Sequence, residues 1–431
     1  MAALFIDLRI ALLNLLEHRR RSAILATAIA VVACLSVLLS ALVSGARNST
    51  LDVATTIATG ELNVGGYFKV TAGQPAAVVS DYQPVKELVQ RTLPELDSMV
   101  DRGRGWGRVI SDQGVAIFAG IAGIDVGAEP RFRNVLSVAS GRLSDLQQPN
   151  TLLLFEEQAK KLGVKVGDSI TLLASTRNGA TNTVDCKVAA IARELGALTR
   201  LVVYISMPTW RQLYRVKNDV TGVLHLRVQP QFADNLPELA ERLRKALRGA
   251  GYQVMEGDGQ ASFNKLDRVS REDFRGQLLD VTTWEEELPF QKWSVGLLRG
   301  VGLVLLFTLS FITLAGVMNT LAIAVRERTR EIGTLRAIGL QRTGVARLFL
   351  LEAGLLGALG VVLIFITNAS AIPLPLVIQL FVMKATLTLA LEPGASVVVI
   401  ALITFATTLA ALFPTLRAAR RSPVDAIAHF G

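Results

Sequence analysis

The stretch Leu314–Leu355, LAGVMNTLAIAVRERTREIGTLRAIGLQRTGVARLFLLEAGL, joins two apolar runs through a dense patch of charge. The first run ends at Val325 and the second starts at Leu348. Arginines dominate the patch between them, which holds Arg326, Arg328, Arg330, Arg336, Arg342 and Arg347 against Glu327 and Glu331. Because Lys and Arg concentrate in short loops on the cytoplasmic side of a membrane, this pattern predicts a cytoplasmic loop between two membrane spans.

Inside this loop, Ile332, Leu335 and Ile338 recur at about one helical turn, which places them on one face of a short helix. Gly333 and Gly339 bracket the helix with small residues, which suit a tight turn or a closely approaching partner. One interpretation is a polar loop that lies on lipid headgroups. The other is a docking helix that presents an apolar stripe and fixed charges to a soluble protein. The residues by themselves leave both open.

The segment MNTLAIAVRERTREIGTLRAIG resembles the cytoplasmic coupling segment of the FtsX/MacB/LolC-LolE type of ABC transporter permeases, the type VII, mechanotransmission-like group. In that family an Asn precedes the membrane exit and the pattern x-E-R-x-R-E-I-G-x-L-R-A-x-G follows. The matching residues are Asn319, Glu327, Arg328, Arg330, Glu331, Ile332, Gly333, Leu335, Arg336, Ala337 and Gly339. The resemblance implies that a separate ABC ATPase docks on Glu327, Arg328, Arg330, Glu331, Ile332, Gly333, Leu335, Arg336 and Gly339.

Composition limits the class of protein. The chain has 431 residues, of which 51% are hydrophobic and 19% charged, and its mean hydropathy is +0.42. This is too apolar for a typical soluble protein and too charged for a chain lying wholly within a membrane. The formal net charge of +9 does not indicate nucleic acid, because the arginines cluster at the ends of apolar runs. Cys34 and Cys186 are expected in different compartments, so no disulfide is predicted.

Hydropathy and charge predict an α-helical membrane protein with four transmembrane helices plus a large α+β extracytoplasmic domain between the first and second. The spans are expected at 23–46, 295–325, 348–368 and 395–414. The remaining segments are a cytoplasmic interfacial helix at 1–22, the extracytoplasmic domain at 47–294, the coupling segment at 326–347, an extracytoplasmic loop at 369–394 and a cytoplasmic tail at 415–431. This arrangement places both termini in the cytoplasm, and the family resemblance implies that the membrane is a bacterial inner membrane.

Two alternatives bear on the number of spans. The first span resembles a signal peptide, but its apolar run exceeds the usual core of about 7–15 residues. The stretch Ile372–Leu391 is apolar enough to suggest a fifth span. However, it contains Pro373, Pro375 and Lys384, and a fifth span would put the basic tail outside.

The extracytoplasmic domain is expected to contain strands near 61–70 and 108–124 and helices near 83–92 and 234–247. A subdomain inserted at about 135–207 carries SGRL and LGVKVGDS, which resemble the outer domain of MacB-like and LolC/LolE-like permeases. There Gly167 permits a turn and Asp168 caps it, which is a structural role. The segment TWEEELP, Thr283–Pro289, also resembles the return to the membrane in LolC/LolE-like chains.

No G-x-x-x-x-G-K-[ST] motif occurs in the sequence, and no nucleophile–base pattern is evident. His18, His225 and His429 lie far apart with no metal-ligand spacing. We therefore expect a permease subunit with no ATPase site, catalytic residue, cofactor or metal of its own. ATP would be used by a partner ATPase dimer.

Within the resemblance, lipoprotein release from the inner membrane is the favoured function. The alternatives are an FtsX-like regulator of an extracytoplasmic cell-wall hydrolase and MacB-like efflux of a peptide or macrolide. The expected partners are the ATPase, a second permease subunit (the same or related), the lipid bilayer and lipoprotein cargo, without nucleic acid. Leu38, Leu42 and Leu298 are possible cargo contacts. The small residues Gly300, Gly302 and Gly316 suit close helix packing, either within the chain or against the second subunit.

Overall fold

A computed structural model describes residues 19–69, 75–176 and 179–327, and isolated positions between 334 and 412. The tail at 415–431, and nearly all of the interfacial helix at 1–22 and of the third predicted span, lie outside the described residues. Positions described within the fourth predicted span are helical.

Helices and strands follow one another along the described residues without a long irregular segment. In chain order they are α1 (Arg19–Ile57), β1 (Leu62–Lys69), β2 (Val79–Ser80), α2 (Tyr82–Thr92), β3 (Leu96–Arg102), β4 (Trp106–Ser111), β5 (Ala116–Ile124), α3 (Pro130–Val135), β6 (Val138–Gly141), β7 (Thr151–Phe155), α4 (Glu156–Leu162), β8 (Ser169–Ser175), β9 (Thr181–Ala192), β10 (Val202–Ser206), α5 (Met207–Tyr214), β11 (Val220–Thr221), β12 (Val223–Val228), α6 (Leu236–Gly249), β13 (Gln253–Val254), α7 (Ser262–Arg271), β14 (Gly276–Thr283), α8 (Trp284–Glu287), α9 (Pro289–Glu327), β15 (Ile372–Pro373) and β16 (Thr386–Leu387). Short 3₁₀ turns occur at Leu143–Gln147, Ala197–Arg200 and Pro230–Phe232.

The chain divides into two compact units. The first contains Met1–Asn48 and the chain from Gly296 onward, apart from Leu374–Ala385, and the described part of the second is Ser49–Val295. The first unit is helical where α1 and α9 enter it. It also contains β15 and β16, which pair antiparallel, with Ile372 opposite Leu387.

One sheet of the second unit has five strands in the order β13-β14-β1-β12-β3. β1 lies between β14 and β12 and is antiparallel to both. α2 and α6 are amphipathic, and they pack side by side over one face of the sheet. Their buried residues form one core with the strands, which includes Leu62, Val64, Val85, Val89, Leu226, Leu239, Leu243 and Val281. α2 leads into β3 and α6 into β13, so the two helix–strand segments occupy opposite edges of the sheet.

The other sheet of the second unit has seven strands in the order β6-β9-β7-β10-β5-β4-β8. The 12-residue β9 also pairs with β8, so this sheet closes on itself as a barrel does. β7 is buried along its whole length: Leu152 and Leu154 belong to one core cluster and Leu153 and Phe155 to another. A strand buried on both faces reads as a continuous apolar run, which explains the sequence TLLLF.

The second sheet begins earlier in the chain than the subdomain expected at 135–207. β4 and β5 belong to it, because β4 pairs with β8 and β5 pairs with β10. The continuous strand expected near 108–124 is a hairpin, which turns at Gly114 with φ 79°. α6 begins at Leu236, two residues after the expected Asp234, and Pro237 occupies its first turn. Proline suits that position because its missing N–H would have no helical partner there.

One described helix segment, Pro289–Gly316 at the start of α9, is long and apolar enough to cross a membrane. An 18-residue stretch of this segment has a mean hydropathy of 2.1, and only 11% of it is buried. Large apolar side chains such as Val304, Phe307 and Phe311 are 65%, 61% and 69% exposed. A helix with this surface must be covered by lipid or by other apolar helices.

Candidate functional site

The predicted ATPase-docking segment starts where α9 ends. α9 reaches Glu327, which is the last residue of the helix. The other predicted docking residues, Arg328, Arg330, Glu331, Ile332, Gly333, Leu335, Arg336 and Gly339, lie outside the described residues. The docking role therefore stays a prediction.

The predicted cargo-contact residues Leu38, Leu42 and Leu298 lie in the first unit and are partly buried. Helices α1 and α9 contact each other in this unit, because a Cβ atom on Gly302 would lie 2.8 Å from Cγ2 of Val43. Of the two expectations for Gly302, packing within the chain or against a second subunit, the structure shows packing within the chain. The absent side chain lets the two helices approach closely.

The carboxyl end of α1 is held by a buried charged clamp in the second unit. Arg102 is 3% exposed, and its guanidinium donates to the backbone oxygens of Thr56 at 2.6 Å and Ile57 at 2.7 Å. The same guanidinium donates to both carboxylate oxygens of Glu129, at 3.0 and 2.5 Å. Tyr204 on β10 donates to the oxygen of Ile57 at 2.7 Å. Terminal helix carbonyls lack intrahelical donors, so these contacts satisfy the last turn of α1 from both sheets.

A second buried network joins α7 to β14, the strand that leads toward α9. Lys265 is 1% exposed, and its ammonium donates to the two carboxylate oxygens of Asp280 at 2.9 and 3.1 Å. Asp258 lies 3.1 Å from the same ammonium and 2.8 Å from Arg268. Burial raises the pKa of Asp280, and the charge of Lys265 acts in the opposite direction. The positive and negative charges of this cluster compensate one another, and a buried charge requires such a partner.

Glu287 extends this network to the residues just before α9. Its carboxylate accepts from the hydroxyls of Ser262 at 2.5 Å and Thr282 at 2.8 Å, and Arg104 lies 3.6 Å away. Burial acts to raise the pKa of Glu287, but Arg104 and these hydrogen bonds hold the pKa below its ordinary value. Thr283 and Glu286 form a capping box on α8, which explains the sequence TWEEE in terms of helix capping.

The structural role predicted for Asp168 agrees with the structure. Its carboxylate accepts from the backbone N–H of Lys165 at 2.7 Å. Gly167 has φ 95°, a conformation that residues with a Cβ atom rarely adopt. These two residues therefore stabilise the turn that connects α4 to β8.

The described residues of the second unit line cavities, of which two bear on the candidate site. The first has a volume of about 310 Å³ and is lined by charged residues that include Arg102, Arg131 and Arg227. Each of these arginines has a carboxylate partner, respectively Glu129, Asp97 and Asp52. The charges in this wall are therefore already balanced, which makes it a poor site for an anion.

The second cavity, of about 280 Å³, lies between the two sheets and is mainly apolar. The apolar part of its wall includes Ile57, Trp106, Ile121, Leu198, Leu201, Val202, Phe263 and Leu288. The polar part consists of the charged residues Arg102, Arg104 and Glu287 and of Thr59, Asn63, Tyr204 and His225. Burial, together with Arg102 and Arg104, lowers the pKa of His225 well below its ordinary value, so this imidazole is neutral at pH 7.

Sequence reasoning missed the second cavity. Its residues come from segments that are far apart, and the available local signal was the glycine-spaced GRGWGR at 103–108. Gly103 and Gly123 pair with each other beneath the ring of Trp210, where a Cβ on either would clash. The glycines therefore mark a close approach of two backbones beside the cavity.

The structure gives no sign of a reactive thiol at Cys186 or of a metal site among the described residues. Burial raises the pKa of the Cys186 thiol to about 12, which disfavours the thiolate. In the described parts of the chain, no group of three or more His, Cys, Asp and Glu residues is placed to hold a metal ion.

Comparison with known proteins matches residues 303–423 to the FtsX-like permease C-terminal domain. The lipoprotein-releasing system transmembrane protein LolE of Haemophilus influenzae is 25% identical over 252 residues, covering 56% of this chain and 54% of LolE. The macrolide export ATP-binding/permease protein MacB of Escherichia coli K12 is 29% identical over 258 residues, covering 53% of this chain and 38% of MacB. The periplasmic region of MacB from Actinobacillus actinomycetemcomitans covers 44% of this chain and 85% of that structure, at 13% identity and a TM-score of 0.29.

The FtsX-like region at 303–423 and the two relatives point to the same class of protein, the permeases of ABC transporters. The chain is similar to ABC transporter permeases of the FtsX/MacB/LolE type, and this similarity confirms the resemblance carried by the arginine-rich loop. The α+β fold expected for the extracytoplasmic domain is also observed, in the second unit. The chain spans about half the length of LolE and less of MacB, so what it transports is a matter for proposal.

Proposed function

We propose that this chain couples ATP hydrolysis by a separate cytoplasmic ATPase dimer to the release of lipoproteins from a bacterial inner membrane. The observation that supports this function best is the similarity to LolE over 56% of the chain, together with the FtsX-like region at 303–423. Four membrane spans with both termini in the cytoplasm would place the α+β unit outside and the segment 326–347 against the ATPase.

In this proposal two permease subunits, identical or related, bind the ATPase dimer, and nucleotide-driven closure reaches the outer unit through the spans. A polar solute crossing the bilayer would meet a large desolvation cost. A lipid-anchored cargo avoids that cost by entering sideways from the outer leaflet, between the first span of one subunit and the second span of the other. Leu38, Leu42 and Leu298 would then contact its acyl chains.

MacB-like efflux is the second candidate, because the similarity to MacB is also extensive. An FtsX-like regulator of a cell-wall hydrolase is the third. Purification of the complex from membranes, followed by identification of the bound protein, separates lipoprotein release from regulation of a hydrolase.

The docking role predicts that Glu331→Arg weakens ATPase binding. Reversing this charge opposes the pattern that the partner recognises, and like charges placed together cost several kcal/mol, so we expect a loss of association of about tenfold or more. The measurement is the amount of ATPase that co-purifies with the permease and the ATPase rate of the complex. Glu256→Arg, a reversal at an exposed position of the second unit, is the matched control. Equal ATPase binding by both variants would contradict the docking role.

The cargo route predicts that a photo-crosslinker at Leu42 captures an acylated protein without nucleotide and releases it after ATP is added. The reason is that the acyl chains would leave the span when the complex closes. Mass spectrometry of the captured species identifies the lipid modification. A crosslinker at Val166, an exposed residue of the second unit, is the control and should capture no acyl chain. Capture of a soluble hydrolase by the outer unit, with no acylated species at Leu42, would favour the FtsX-like function.

A further inference from the structure

The mouth of the apolar cavity carries a cluster of exposed aromatic rings. Trp106 stacks on Phe118 with ring centroids 5.8 Å apart, and Phe263 lies 4.9 Å from Trp106. Trp106, Phe118 and Phe263 are 38%, 69% and 52% exposed, and Leu201 on the cavity wall is 57% exposed. Scattered exposed apolar residues are ordinary, but a contiguous patch beside an apolar cavity marks a binding surface.

One residue of the cavity wall lies next in sequence to the apolar part of α9, which suggests what the cavity binds. Leu288 is part of its wall, and the next residue, Pro289, starts α9 and the segment apolar enough to cross a membrane. Phe290 and Trp293, in the first turns of α9, are 50% and 56% exposed and lie side by side. Exposed Trp and other aromatic side chains at the end of an apolar helix are typical of the boundary between membrane and water. The cavity wall is therefore adjacent in sequence to the segment that is apolar enough to cross a membrane.

The polar groups of the cavity are balanced or neutral. Arg104 and Glu287 lie 3.6 Å apart, so their charges compensate each other. The third charged residue of the wall, Arg102, is paired with the buried carboxylate of Glu129. His225 is neutral because burial and the two neighbouring arginines lower its pKa. A wall of this kind favours a hydrocarbon group and gives no net charge for an ionic ligand.

We propose that this cavity binds a hydrocarbon chain of a membrane lipid, with the Trp106–Phe118–Phe263 cluster covering the chain at the mouth. Its volume of about 280 Å³ is at the lower end of ligand pockets, so it has room for part of one chain and not for a whole lipid. The inference rests on the membrane location in the proposed function, but it needs neither the ATPase nor a lipoprotein. The second unit would thereby hold acyl chains at the surface of the bilayer.

The test uses the full chain in nanodiscs of a phospholipid whose acyl chain carries a photoactivatable diazirine. After illumination, labelled peptides are identified by mass spectrometry. We expect labelling around 104–106, 198–202 and 261–263, and we expect Phe263→Asp and Leu201→Asp each to reduce it by about tenfold, because a charge is costly in an apolar site. Val166→Asp, at an exposed residue that lines neither cavity, should leave the labelling unchanged.

Labelling of Pro289–Gly316 serves as an internal control for lipid contact. Labels confined to that helix, with none at the three cavity segments, would overturn the proposal. Cavity labels that persist in both aspartate variants, with their thermal unfolding unchanged, would also overturn it, because they would come from the surface. Lipid labelling of the cavity in a protein that releases no lipoprotein would refute the proposed function while supporting this site.

Discussion

Replacing Arg102 with leucine is expected to lower the free energy of unfolding of the second unit by about 3–5 kcal/mol. The substitution leaves the carboxylate of Glu129, which is 7% exposed, buried without its partner. It also removes the donors that pair with the carbonyls of Thr56 and Ile57 at the end of α1. For a unit of this size we expect the midpoint of thermal unfolding to fall by about 10 °C, measured on the full chain by circular dichroism.

The matched control is Arg131→Leu. Arg131 and Asp97 form an ion pair of 2.9 Å, but their side chains are 52% and 39% exposed. Exposed pairs contribute about 0–1 kcal/mol, so this variant should unfold close to the wild-type temperature. Equal midpoints for Arg102→Leu and Arg131→Leu would show that the clamp does not hold α1. Adding Glu129→Leu to Arg102→Leu should restore part of the loss, because it removes the stranded charge.

Lys265→Met is the second substitution with a large expected effect, again about 3–5 kcal/mol at pH 7. Methionine fills a similar volume, but it leaves Asp280, which is 1% exposed, without its cation. Thermal unfolding of the full chain measures the loss. Arg271→Met on the same helix is the control, since Arg271 and Asp267 are 77% and 78% exposed and contribute little.

The pH dependence of this loss distinguishes a stranded charge from poor packing. Burial raises the pKa of Asp280 in the folded protein, and removal of Lys265 takes away the charge that opposed this effect. A carboxyl whose folded pKa is raised stabilises the fold at low pH, and this contribution is lost as the pH rises through the folded pKa. The deficit of Lys265→Met should therefore shrink as the pH falls from about 7 toward about 4. A deficit that is constant with pH would indicate a packing defect.

The elements with a strong local pattern were predictable. Val85, Leu88 and Val89 recur at helical spacing, and α2 forms there. The turn at Gly167 and Asp168 follows from one glycine and one carboxylate that are close in sequence. The prediction of a single strand across β4 and β5 is wrong, because the apolar alternation on the two sides of the hairpin is alike and Gly114 alone is a weak turn signal.

The clamp and the apolar cavity could not be predicted in this way. Arg102 is one of 45 basic residues, and nothing near it in sequence shows that it meets Glu129 and the end of α1. Lys265 lies in a helix whose pattern suggests a solvated cation, yet it is 1% exposed because Asp280 and Asp258 surround it. The cavity brings together Trp106, Leu201 and Phe263, and Phe118 stacks on Trp106, although up to 157 positions separate these residues in the sequence.

The sequence by itself indicated the class of this protein, because the arginine-rich loop is a contiguous pattern that can be recognised without knowing the tertiary structure. It also determined which runs are apolar enough for spans and which segments of the second unit favour helices and turns, since these properties depend on neighbours a few residues away. The tertiary structure decided which ionisable groups are buried in pairs and where an apolar cavity opens. Those properties depend on contacts between distant segments, whose desolvation and pairing no local pattern records.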